Sequence, residues 1–289
     1  MKKLAQLTTI GCLLTLLTSP LYSAAIEKDY SLKLTRPGEP VKLEAEIRFG
    51  SITIQGYKGE TVEIKATFRE IEDPELKKIM PKRNYWRGDE DKKAKPRNSD
   101  GLKRIVNNAI HLDITEDDNE VEIESEVGNR LIDLVIKVPV KTDVEAEVYA
   151  GGDIRVEGIT GQVEVGNHRG GINALNLNGP IVAETYQKDI VVSFQSYKTE
   201  HPSSLTTHHG NIDITIPEKT IKADLMVQSY RGEILSGLNT NFQAAEDVVR
   251  KDDNRTEITI GGAMQAKLNG GGQIMNAQTY SGNIYGRRR

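Results

Sequence analysis

One short phrase recurs along the second half of the chain: an aromatic ring or His, any residue, usually Gly, any residue, then Ile. It stands at His168-Arg169-Gly170-Gly171-Ile172, Tyr186-Gln187-Lys188-Asp189-Ile190, His208-His209-Gly210-Asn211-Ile212, Tyr230-Arg231-Gly232-Glu233-Ile234 and Tyr280-Ser281-Gly282-Asn283-Ile284. The first three intervals are 18, 22 and 22 residues. Self-similarity at that period belongs to stacked supersecondary units, each too small to bury its own apolar face. It confines the chain to a narrow set of folds and names no chemistry.

Two units align without a gap. Ile154, Val156, Gly158, Ile159, Gly161, Val163, Val165 and His168 match Ile172, Ala174, Asn176, Leu177, Gly179, Ile181, Ala183 and Tyr186. Apolar and polar residues alternate in short runs that Gly or Asn separates, which is strand patterning broken at corners. An 18-residue unit has an extended contour of roughly 60 Å, enough for one turn of a β-solenoid whose coils lie about 4.8 Å apart. A small polar residue precedes each ring: Asn167, Thr185, Thr207, Ser229 and Thr279. Such columns let like residues stack from coil to coil. Gly at the corner is expected to supply positive φ and close approach, and Lys188 breaks that rule.

Upstream, Phe49-Gly50-Ser51-Ile52-Thr53-Ile54 and Val62-Glu63-Ile64 read as an earlier copy. Ile132 to Pro139 and Ile212 to Pro217 read as strands stopped by proline. Two stretches interrupt the pattern. Residues 69–104 hold twelve basic and eight acidic residues among 36, and a short helix is expected after Pro74. Residues 239–256 suggest a helical turn around Ala244 to Val249 before the charged run Arg250-Lys251-Asp252-Asp253. The fold class expected is all-β: a single-domain parallel β-helix or β-solenoid of short stacked strands over residues 26–289, with these two charged loop insertions.

The amino terminus reads as an export signal over residues 1–25. Lys2 and Lys3 precede an apolar run through Leu17, and Ser23-Ala24-Ala25 offers the small residues of a cleavage site. The run is too short and too interrupted to be expected as a retained membrane span. Cys12 lacks the leucine of a lipobox at Thr9, so lipid anchoring is the lesser reading. As Cys12 is the only cysteine, the exported chain has no disulfide and no thiolate ligand. Without Lys2 and Lys3, 36 basic residues face 42 acidic ones. That balance argues against nucleic acid, which needs a basic face.

The Phe49-Gly50-Ser51-Ile52 phrase, Val138-Pro139 leading into Val148-Tyr149-Ala150-Gly151-Gly152-Asp153-Ile154, the successive Gly-x-Ile coils, and Leu268-Asn269-Gly270-Gly271-Gly272 running to Tyr280-Ser281-Gly282-Asn283-Ile284-Tyr285 together resemble the bacterial putative-adhesin domain of unknown function, or toastrack family. The resemblance covers nearly all of the exported chain. It implies a secreted or envelope β-solenoid without catalytic residues, associated with adhesion or with envelope-stress signalling. The insertion at 69–104 departs from the family pattern.

Several residue groups invite a chemical reading. His168 and His208 share a column with Tyr186, Tyr230 and Tyr280, and a ring that replaces Tyr is expected to pack rather than ligate metal. His201 stands beside Ser203 and Ser204 without a nucleophile signature. Glu120, Glu122, Glu124 and Glu126 would share one strand face, read as solvated, with calcium as the alternative. Asp153, Asp189 and Asp213 flank the corners and read as corner chemistry; gathered carboxylates would otherwise suggest a carbohydrate-active enzyme. Arg83, Tyr85, Trp86 and Arg87 form a basic-aromatic surface segment that could meet lipid or glycan. Arg287-Arg288-Arg289 is a terminal charge run without an assigned partner.

The expectation is therefore a non-enzymatic envelope protein, an adhesin or binding scaffold, without cofactor or metal. Its partner would be an envelope polymer, a glycan or an envelope protein. A stress-signalling accessory that binds a membrane protein or peptide is the second reading, and a β-helix enzyme the third.

Overall fold

The computed structural model describes residues 25–71, 74–79, 110–125, 130–197, 201–217, 219–245, 248–252, 255–259 and 262–289. The predicted signal segment and Arg83, Tyr85, Trp86 and Arg87 lie outside them, as does Glu126.

The chain opens with β1 (Ile26–Lys33), β2 (Val41–Tyr57), β3 (Thr61–Arg69), α1 (Pro74–Ile79) and β4 (Asp113–Asp117). Six strand pairs follow, each one coil: β5 (Glu120–Ser125) with β6 (Leu131–Pro139), β7 (Thr142–Ala150) with β8 (Ile154–Glu157), β9 (Val163–Asn167) with β10 (Ile172–Leu177), β11 (Ile181–Thr185) with β12 (Ile190–Phe194), β13 (Ser203–Thr207) with β14 (Ile212–Ile216), and β15 (Ala223–Ser229) with β16 (Ile234–Ser236). After β17 (Gln243–Ala244), a hairpin of β18 (Val248–Asp252) and β19 (Arg255–Thr259), and β20 (Met264–Leu268), the last pair is β21 (Gln273–Thr279) and β22 (Ile284–Arg288). The helix after Pro74 forms as read. Of the turn expected around Ala244 to Val249, Ala244, Val248 and Val249 are extended instead, because β17 adds to β20 and β18 pairs with β19; residues 246 and 247 lie outside the described residues.

Each coil gives one strand to each of two facing parallel ladders, and the aligned units are in the register the sequence implied. Ile172 pairs with Ile154 and Ala174 with Val156, while Ile181 pairs with Val163 and Ala183 with Val165. The solenoid is not parallel throughout. Antiparallel β1 and β3 close one sheet at its first end, β4 closes the other there, and β20 and β17 close it at the far end. Val62 and Ile64 therefore belong to an antiparallel cap rather than to an earlier coil.

The rungs do not follow chain order. β2 is long enough to serve both sheets, and it lies between the β5–β6 coil and the β7–β8 coil. At the other end β21 lies between β13 and β15, and β22 between β14 and β16. The carboxyl-terminal rung thus sits inside the coil that precedes it in sequence.

Inward side chains stack in columns. Leu134, Ile52, Ile154, Ile172, Ile190, Ile212, Ile284 and Ile234 form one, with all but Ile234 buried. Opposite it, Ile123, Ala45, Ala146, Val165, Ala183, Leu205, Ala277 and Val227 form a second column that alternates small and larger side chains from Ala146 onward, which lets the two sheets interdigitate. Full burial of one such aliphatic is worth roughly 1.5–3 kcal/mol, so the columns hold the rod together without a disulfide. A satellite cluster of Phe49, Ile71, Leu131 and Ala150 seats Leu76 of α1.

Candidate functional site

The small polar column faces inward one residue before the rings. Asn167 Nδ2 donates to the Gly152 carbonyl at 3.0 Å, Thr185 Oγ1 to Gly170 at 2.7 Å, Thr207 Oγ1 to Lys188 at 2.9 Å, Thr279 Oγ1 to Gly210 at 2.8 Å and Ser229 Oγ to Gly282 at 2.7 Å. Each rung is clasped to the rung beside it in space, and the last two clasps follow the interleaved order. Corner carbonyls, those of Gly170 and Gly210 in buried residues, thereby gain donors that a plain aliphatic column would deny them.

The glycines of the repeated phrase do not need positive φ, although Gly50, φ 139°, and Gly151, φ 106°, take it at the same corner of earlier rungs. Left-handed backbone also occurs at the aligned pair Gly158, φ 72°, and Asn176, φ 55°. At Gly210 and Gly282 the constraint is proximity: a Cβ would overlap the carbonyl oxygen of Lys188 or of Gly210. Asp153 and Asp189 behave as corner residues, accepting the Gly171 and Asn211 amides at 2.7 Å. Asn211 and Asn283 repeat the bond to Asn283 and Glu233. Asp213 does not belong with them. It lies on the outer face of β14, where both carboxylate oxygens accept from Arg287 Nε at 2.8 Å.

Turning outward at the same corner, the rings form a continuous pile. Tyr149, His168, Tyr186, His208 and Tyr280 stack at centroid separations of 5.0, 5.5, 4.7 and 4.8 Å, and Tyr230 continues the pile at 5.8 Å with a 39° tilt. His168 and His208 are thus stacked between tyrosines, as the substitution pattern implied. The faces of the inner rings cover one another, leaving their edges to solvent; Tyr186 is 44% and Tyr230 55% exposed. Arg48 closes one end, its Cζ 6.0 Å from the Tyr149 centroid, and Arg231 Cζ lies 4.9 Å from that of Tyr280. Such contacts favour a cation near the ring quadrupole.

Beside the rings, the outer surface of the same sheet carries carboxylates in register. Glu122, Glu44, Glu145 and Glu164 fall in one column, and Glu124, Glu46 and Glu147 in the next. Toward the carboxyl-terminal end the first column passes through Val182, Ser204, Asn276 and Met226 to Gln265. Two charges one rung apart repel by about 1 kcal/mol in water, and salt reduces this further. Lys42 Nζ lies 3.9 Å from Glu44 Oε2 at the edge of the array. The sequence exposed the β5 glutamates. It did not show that β2 and β7 lie on either side to extend them, because β2 is remote in the chain; nor did it place Tyr149 and Arg48 in the ring column. The missed signal was the alternation Lys42-Glu44-Glu46-Arg48 on one strand face. Among the described residues no group of three or more His, Cys, Asp or Glu is arranged to hold a metal ion, and no helix is long and apolar enough to cross a membrane.

No protein-family model matches the chain, and no curated protein matches it. Two solved structures are similar to it over most of its length. One, described as a putative cell adhesion protein from Clostridium sporogenes, has 10% identity and a TM-score of 0.41, covering 92% of this chain and 100% of that one. The other, described as a putative adhesin from Bacteroides fragilis, has 10% identity and a TM-score of 0.29, covering 91% and 97%. Both are named for adhesion. At such scores neither likeness carries a functional argument, which rests on the chain's own geometry.

Proposed function

We propose that this chain is a non-enzymatic binding module of the cell envelope that holds an extended polymer against its ring-bearing face. The observation that carries this reading is the union, on one sheet surface, of an unbroken ring column with parallel columns of carboxylates and, further along, amides and hydroxyls. Rungs repeat about every 4.8 Å, so weak contacts recur along the rod and add for a partner long enough to span several of them. Tyr hydroxyls and ring edges, Glu carboxylates and Gln amides suit the hydroxyls of a glycan. The acidic surroundings disfavour a polyanionic one.

The test is co-sedimentation of the exported protein with insoluble envelope polymers and neutral, cationic and anionic glycans. Replacing Tyr186 and Tyr280 together by Ala removes the centre of the exposed edge and is expected to weaken retention at least about tenfold, the loss of about 1.4 kcal/mol. Retention that ignores both substitutions, or capture confined to polyanions, would refute the reading. Product release from any of these polymers would instead point to an enzyme.

A further inference from the structure

The interleaved rungs carry a mechanical consequence that stands apart from the choice of ligand. In a solenoid whose rungs follow chain order, each terminal rung has one neighbour and can peel away while the rest stays folded. Here the first and last parallel rungs in chain order, β2 and the β21–β22 pair, are both interior, while β1 ahead of them remains an edge strand on β3. Along β2, Lys42 to Ile47 pair with β5 on one edge while Val41 to Phe49 pair with β7 on the other, and Gly50 to Tyr57 pair with β6 while Ile52 to Gln55 pair with β8. At the carboxyl end β21 is paired on both edges over Met275–Thr279 and β22 over Ile284–Gly286, while Arg287 and Arg288 pair with β14 alone.

Side chains reinforce each seat. Thr279 clasps the last rung to Gly210 on one side, and Ser229 clasps Gly282 from the other. Arg287 grips Asp213 through both carboxylate oxygens, Arg289 Nη1 donates to Asn176 Oδ1 at 3.0 Å, and the Arg289 amide donates to the Ile216 carbonyl at 2.9 Å. The terminal arginine run thus ties the chain end to the sheet. Ahead of β2, the Arg36 amide donates to Asn119 Oδ1 at 2.7 Å and Asn119 Nδ2 returns a bond to the Arg36 carbonyl at 2.8 Å.

We propose that the fold is a load-bearing lock: tension applied between the segment that enters β2 and the end of β22 meets rungs that can leave only by breaking ladders on both edges. A module that holds a polymer against flow or growth needs such a property. The lock itself depends on rung order alone.

Single-molecule pulling tests it, with load applied through a cysteine handle at Glu39→Cys and a second handle at the carboxyl terminus. The expected trace is one cooperative rupture of the ladder. Thr279→Val and Ser229→Ala each remove a clasp from the seat of the last rung and should raise the forced-unfolding rate at constant load roughly tenfold. Thr185→Val removes an equivalent clasp from a rung still intact at that barrier and should change the rate by less than about twofold. The proposal is overturned if the first event is a weak release of about 60 Å, the contour of residues 273–289 leaving alone, or if Thr185→Val accelerates rupture as much as Thr279→Val. Should a variant fail to fold, hydrogen exchange on the unaltered chain reads the same claim. Amides of Ile284 and Ser281 should exchange as slowly as that of Ile190, and markedly faster exchange at the last rung overturns it.

Discussion

Replacing Thr279 by Val isolates the clasp column from every other stabilising term. The side chain is fully buried, and its Oγ1 donates to the Gly210 carbonyl at 2.8 Å. Valine keeps the shape, the β-branch and the strand preference of threonine, so packing is nearly unchanged. What is lost is one donor to a buried corner carbonyl. Leaving such a group with a lost partner costs roughly 1–3 kcal/mol, more than the 0.5–1.5 kcal/mol net value of an ordinary hydrogen bond. About 2 kcal/mol in a domain of this size lowers Tm by roughly 4–8 °C. Thr206→Val, one residue from the equivalent clasp but directed outward, should stay within about 0.5 kcal/mol. Thr279→Ser should recover part of the loss, since it restores the donor. The assay is thermal and urea denaturation followed by far-ultraviolet circular dichroism, with the urea slope checked for constancy. If Thr279→Val melts with the parent protein, the clasps contribute nothing, and the account of the small polar column is wrong.

Other perturbations address other parts of the argument. Gly282→Ala places a Cβ against the Gly210 carbonyl oxygen, whereas Gly38, with φ 86°, has nothing within 4 Å; denaturation should show the first costing well over 2 kcal/mol and Gly38→Ala only about 1–2 kcal/mol of left-handed strain. Ile190→Ala, in the middle of the isoleucine column, should cost about 2–5 kcal/mol by the same assay, while Ile234→Ala on β16, at the outer end of the stack, costs less because that side chain is only half-buried. Glu44→Gln with Glu145→Gln relieves like charges in register and should raise Tm at low ionic strength, with the gain shrinking in about 0.5 M salt; a gain that ignores salt would contradict a Coulombic origin. Amides and a hydroxyl from Thr35 and Asn119, the Thr35 amide foremost, hold the Glu116 carboxyl below its usual range. A depressed folded value means its contribution is present above the ordinary carboxylate range and is lost as pH falls through the folded value, so Glu116→Gln should flatten the acid limb of a Tm-against-pH curve and leave its slope above neutrality unchanged.

Much of the coil was legible because it is written in local, repeated terms. The register of Ile154 with Ile172 and of Val163 with Ile181 followed from an ungapped alignment, since a strand has a side-chain period of two and a slip of one residue would turn every apolar group outward. The stacking of His168 and His208 among tyrosines followed from substitution within one column. Of the two reasons for glycine at the phrase only close approach holds: its φ is ordinary, and what it provides is room for a neighbouring carbonyl. Asp213 was grouped with Asp153 and Asp189 on proximity to the corner, yet it follows its isoleucine where they precede theirs, which turns it onto the sheet face toward Arg287.

Spacing and alternation in the sequence determined the unit: strands of a few residues, an aliphatic interior, polar corners, and a rod with no need of cysteine. Tertiary structure alone decided the order in which units stack. Every coil presents nearly the same columns, so local pattern gives each rung many acceptable neighbours. The choice among them falls to contacts between residues far apart in the chain: β2 with β5 through β8, Thr279 with Gly210, Arg287 with Asp213. The face that gathers Glu44, Glu122, Glu145 and the ring pile is a product of that choice.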